Sequence, residues 1–103
     1  MSKLKHESSF YDNGELMWEE WSLDGEYHND EGPAYIRYRR DGSVWWKEWR
    51  LNGKRHNEEG PAYIKYERDG SVRLIYWFLN GIRYTEEEWK DLVFSKAFEE
   101  LYE

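Results

Sequence analysis

The sequence predicts a mainly β fold: an antiparallel β-meander of three 28-residue repeats closed by one C-terminal amphipathic helix. Three observations predict it: a strict 28-residue period, aromatic and aliphatic runs punctuated by Asn-Gly and Asp-Gly turns, and a final stretch of helical periodicity. Gly14, Gly42 and Gly70 share one column of that period, Gly25, Gly53 and Gly81 another, and Trp21, Trp49 and Trp77 a third. Between residues 14–41 and 42–69, 17 of 28 positions are identical, which marks a repeat array.

Taken in order, residues 1–13 read as a leading half-repeat, with 4–11 a weakly apolar strand at the sheet edge. Residues 14–41, 42–69 and 70–84 are the repeats. Each unit reads as two strands and two turns, and the strand 44–51 runs into Asn52-Gly53, the pair that suits the positive φ angles of a tight hairpin. A second strand such as 62–66 ends at Asp-Gly, and Pro61 stands where its missing N–H breaks no ladder bond. Short connections make a meander of about six strands the natural topology. Period-2 alternation puts Met17, Trp21 and Leu23 on one face, as it does Trp45, Trp49 and Leu51, and Ile75, Trp77 and Leu79. With Ala34, Ile36 and Tyr38, and Ala62, Ile64 and Tyr66, they are expected to form a stacked core.

The third unit is apolar on both faces over residues 74–79 and needs a cover. Residues 85–103 supply one. Thr85 and Glu88 form a capping box, and a helix from about Glu86 to Tyr102 carries Trp89, Leu92, Val93, Ala97, Phe98 and Leu101 on one stripe, expected to dock on the last strand.

Composition bounds function. A chain of 103 residues is one small domain, and its 7 Trp, 9 Tyr and 4 Phe supply the apolar area that argues against disorder. A net charge of -7 argues against direct nucleic-acid binding and points to a protein partner with a basic surface. No Cys is present, so disulfides, thiolate metal sites and a cysteine nucleophile are excluded, and a reducing cytoplasmic location is expected. No apolar stretch reaches the roughly 18–20 residues of a membrane span, so no membrane partner is expected.

The runs Asn52 to His56, Glu59 to Ile64, Asp69 to Ser71, and Asn80-Gly81 with Thr85 to Trp89 resemble the MORN-like repeat variants of bacterial, bacteriophage and giant-virus proteins. The resemblance covers almost the whole chain from Asn13 onward. It bears on fold, and for function it implies little beyond binding.

The candidate chemistry is sparse. His28 and His56 recur at one phase, each followed by Asn and two acids, and about 10 Å between them suits turn anchoring better than a shared metal. No nucleophile elbow or phosphate-cradling glycine loop is present, so neither enzymatic activity nor a cofactor is expected. Two surface stripes remain as partner-binding candidates. Asp30, Glu31, Glu58, Glu59, Glu86 and Glu87 recur as an acidic column along one edge, while Tyr35 with Arg37 and Tyr63 with Lys65 face away from the expected core. The leading expectation is a small acidic inhibitor of the phage anti-defence or immunity kind. A glycan or cell-envelope binding module using exposed aromatics is the alternative, and a scaffold self-associating through its N-terminal edge strand is a third.

Overall fold

A computed structural model describes residues 3–101, with side chains described through Ser95. The strands are β1 (Leu4–Phe10), β2 (Leu16–Leu23), β3 (Glu26–Tyr27), β4 (Tyr35–Tyr38), β5 (Val44–Glu48), β6 (Arg50–Leu51), β7 (Lys54–Arg55), β8 (Tyr63–Tyr66), β9 (Val72–Leu79) and β10 (Ile82–Tyr84). Helix α1 (Glu86–Leu101) follows. One antiparallel sheet runs β1-β2-β4-β5-β8-β9-β10, with β3 paired to β2, and β6 and β7 form a separate short hairpin. The mainly β meander with a C-terminal helix is therefore as the sequence predicts. The expected strand of 44–51 instead breaks at Trp49, because β6 leaves the sheet to pair with β7 across the Asn52-Gly53 turn. Asn52 and Gly53 both have positive φ (50° and 80°), as do Asn80 and Gly81 (49° and 82°), the geometry that lets a two-residue turn follow the twist of its strands.

Register explains the repeat. Facing residues in an antiparallel pair share a side of the sheet. Ile36 faces Lys47, Lys47 faces Ile64 and Ile64 faces Ile75, while one row further along, Trp21, Ala34, Trp49, Ala62 and Trp77 follow one another across the sheet. Each alanine thus sits between two indoles, and Ala34 and Ala62 are both 0 % exposed. A larger side chain there has no room.

The stacked core itself requires correction. Among the described residues the only buried apolar side chains are Ala34, Ala62, Phe78 and Trp89, and Trp21, Trp49 and Trp77 are half-buried. The reason is architectural: among the described residues one meander sheet holds all the strands but the short β6-β7 hairpin, and the molecule is 20 Å across its thinnest dimension. The helix covers less than expected as well. Trp89 packs on Trp77 with ring centroids 4.6 Å apart, but Leu92 and Phe94 stay 45 % and 72 % exposed, and Leu74 and Ile75 of β9 also remain open. Phe78, on the opposite side, is covered by the Arg55 guanidinium rather than by the helix. The expected stripe positions Ala97, Phe98 and Leu101 lie outside the described side chains. β1 is the edge strand that the sequence suggests, paired along its whole length with β2, and His6 stacks on Trp21 there. No helix among the described residues is long and apolar enough to cross a membrane.

Candidate functional site

Two of the concave sites among the described residues lie on opposite sides of the sheet. The first is a groove of about 550 Å³ between the loops 29–32 and 57–61. Trp49, Leu51 and Ile64 give it an apolar floor, and Asp30, Glu31, Glu58 and Glu59 stand along its lining.

Both loops are held by the same side-chain network. His28 Nδ1 accepts the Asn52 backbone N–H at 2.9 Å, and His56 Nδ1 accepts that of Asn80 at 2.9 Å, so each histidine fastens its loop to the Asn-Gly turn of the next unit. Accepting at Nδ1 places the ring proton on Nε2, which in His28 donates to Asp30 at 3.2 Å; His56 Nε2 lies 3.4 Å from Glu58. The turn-anchoring role expected of these histidines is what the geometry displays. Each following asparagine closes its own loop: Asn29 Nδ2 donates to the Pro33 carbonyl and its Oδ1 accepts the Glu31 N–H, and Asn57 repeats this with Pro61 and Glu59. The carboxylates are thus carried on braced backbone rather than on loose loops.

The acidic column divides. Asp30, Glu31, Glu58 and Glu59 come together at the groove, whereas Glu86 and Glu87 lie in the first turn of α1 and Glu86 pairs with Lys90 at 3.1 Å. The acidic column expected along one edge is split at the helix start that the sequence predicts, because Tyr84 and Thr85 replace His and Asn in the third unit and the chain enters a helix there. Trp89 nonetheless links helix to groove, since its indole N–H donates to the Asn57 carbonyl at 2.9 Å.

The second site lies on the other face. The stripe of Tyr35, Arg37, Tyr63 and Lys65 does share one side, and register adds what the sequence reading missed: Trp46 faces both Arg37 and Lys65, and Glu48 faces both Tyr35 and Tyr63. A pocket of about 350 Å³ forms here, lined by Tyr27, Tyr35, Trp46, Glu48, Arg55 and Tyr63. Glu48 is 9 % exposed and accepts from Arg55 Nη2 at 2.7 Å, with Arg50 at 3.7 Å. Burial of a carboxylate requires such partners. Arg55 lies between the rings of Tyr63 and Phe78 at 5.2 and 5.4 Å, which leaves its Nε–H buried without an acceptor. Burial and then the Glu48 charge hold the Tyr63 phenol above its usual range, with Arg55 pulling the other way. Trp46 and Glu48 were findable, since a meander register places them opposite the tyrosines already singled out.

No protein-family model, curated protein or solved structure matches the chain.

Proposed function

We propose that the chain is a non-enzymatic protein–protein interaction module that acts as a small acidic antagonist, seating a basic segment of its partner in the groove between loops 29–32 and 57–61. The observation that carries this is the combination of an apolar Trp49–Leu51–Ile64 floor with carboxylates from two equivalent, braced loops. A lysine or arginine side chain has the matching form, an apolar stem ending in a charge. Its stem lies on the floor and its head meets the acids. Bracing matters, because a rigid site loses less side-chain and loop entropy on binding.

The decisive experiment follows capture of a partner from host lysate. Association rates are then compared at low and high salt for the wild type and the Glu58→Lys/Glu59→Lys variant. A fixed acidic rim steers association, so the wild-type rate should fall steeply with salt and the variant should be slower by about tenfold or more at low salt. Equal, salt-independent rates for the two proteins exclude the acidic groove as the interface.

A further inference from the structure

We infer that the pocket on the opposite face is a separate binding site for an uncharged pyranose ring, such as a sugar unit of a glycan. The inference does not rest on the acidic groove. Its starting point is the chemistry of the pocket lining: four aromatic side chains, Tyr27, Tyr35, Trp46 and Tyr63, around one carboxylate and one guanidinium.

The charges decide the ligand class. Glu48 and Arg55 are already paired at 2.7 Å, with Arg50 behind them. A cationic ligand approaching this open aromatic pocket competes with the guanidinium already in it, and an anionic one meets Glu48. A neutral group bearing hydroxyls does neither, because each hydroxyl both donates and accepts and so satisfies carboxylate and guanidinium together. The aromatics supply the rest. Arg50 stacks on Tyr27, Arg55 on Tyr63 and Arg83 on Tyr76, whereas among the described residues no guanidinium lies on Tyr35 or Trp46. Those two rings are half-buried, nearly parallel at 28° and 6.1 Å apart, and offer apolar surface next to the polar pair. A pyranose has the same division, a face of C–H groups bordered by hydroxyls. The pocket volume of about 350 Å³ falls within the range of cavities that hold small ligands.

The test uses saturation-transfer NMR on the intact chain with four neutral probes: cellopentaose, maltopentaose, laminaripentaose and the pentamer of N-acetylglucosamine. A single-stranded oligouridylate is the control for the competing class. At least one sugar should bind saturably, and Trp46→Ala should weaken it about tenfold, the effect of roughly 1.4 kcal/mol. Tyr27→Ala, at an exposed position, gives the same readout should Trp46→Ala fail to fold. Glu58→Lys/Glu59→Lys should leave sugar binding unchanged, which separates this site from the groove. The inference is overturned if no probe sugar saturates up to about 10 mM, if only oligouridylate binds, or if a folded Trp46→Ala or Tyr27→Ala variant binds the sugar as the wild type does.

Discussion

The loop at 56–60 and the helix start at 84–88 occupy the same positions of the repeat and become different structures. His56, Asn57, Glu58, Glu59 and Gly60 correspond one for one to Tyr84, Thr85, Glu86, Glu87 and Glu88, and Pro61 corresponds to Trp89. In the loop, Asn57 closes on the Pro61 carbonyl and the Gly-Pro pair returns the chain to a strand. In the helix, Thr85 Oγ1 accepts the Glu88 N–H at 3.1 Å while Glu88 Oε1 accepts the Thr85 N–H at 2.9 Å, a reciprocal capping box that a glycine at 88 cannot make. The two acids between are shared, so the flanking residues decide whether acids line a groove or begin a helix.

The largest expected effect separates the two structures at their junction. Trp89 is 7 % exposed, packs on Trp77 and donates to the Asn57 carbonyl, so it holds the helix to the sheet and the loop to the helix. Trp89→Ala should cost about 3–5 kcal/mol in urea unfolding, as for other large buried aromatics. Trp49→Ala should cost visibly less, because the groove side of that indole is already open. Equal losses at the two positions contradict the difference in burial.

Next in size are the two histidine fasteners. Each gives up one bond to a turn amide when replaced, at about 1–2 kcal/mol where water cannot substitute. The bond from Asn52 to His28 is partly buried and that from Asn80 to His56 is exposed, so His28→Ala should destabilise more than His56→Ala. Amide exchange at Asn52 and Asn80 checks the assignment directly. Unchanged protection in both variants excludes the fastening role.

The capping box should be worth less again. Thr85→Ala is expected to cost about 1 kcal/mol, the usual value of an N-cap side chain. Bonds from Thr85, backbone first and then side chain, hold the Glu88 carboxyl below its ordinary range. A lowered folded pKa contributes stability that is present above the unfolded value and lost as pH falls through the folded one. Glu88→Ala should therefore destabilise the protein at pH 7 and lose that effect as acidification protonates the Glu88 carboxylate. A pH-independent difference between the two proteins, measured by urea titration, rules out the carboxylate as its source.

How much of this was legible in the sequence depends on whether the signal was local. The Asn-Gly turns, the Asp-Gly turns and the capping box each lie within a few residues, and all three appear as read. The strict period likewise gave the meander. The core did not follow, because alternation assigns residues to faces without saying whether anything covers a face. Trp21, Trp49 and Trp77 share a face as expected and yet stand half-open over a single sheet. The groove and the pocket were also hidden in part, since both depend on which strands are neighbours. Tyr35 and Tyr63 were identifiable as a stripe, but Trp46 and Glu48 join them only through register. The split of the acidic column was foreshadowed by Thr85 and Glu88, whose capping requirement removes Glu86 and Glu87 from any loop.

The smallest expected effect on stability is also the one that isolates function. Glu59 is exposed, Glu58 is 40 % exposed at its side chain and lies 3.4 Å from His56 Nε2, and the backbone of the loop beneath them is held by Asn57 and by the His56–Asn80 bond. The backbone N–H of Glu59 makes the bond to Asn57 Oδ1, and it survives any substitution except proline. Replacing both glutamates by lysine should thus change unfolding free energy by under about 0.5 kcal/mol, the usual range for surface positions. The same change moves the rim by four charges and places cations beside the Trp49–Leu51–Ile64 floor. If the loop's carboxylates were structural, as the Thr85–Glu88 pair is in the helix, the double variant would unfold at lower urea. A midpoint shift comparable to that of Thr85→Ala therefore sinks the distinction between a loop that presents its acids and a helix that uses one of them, Glu88, to begin.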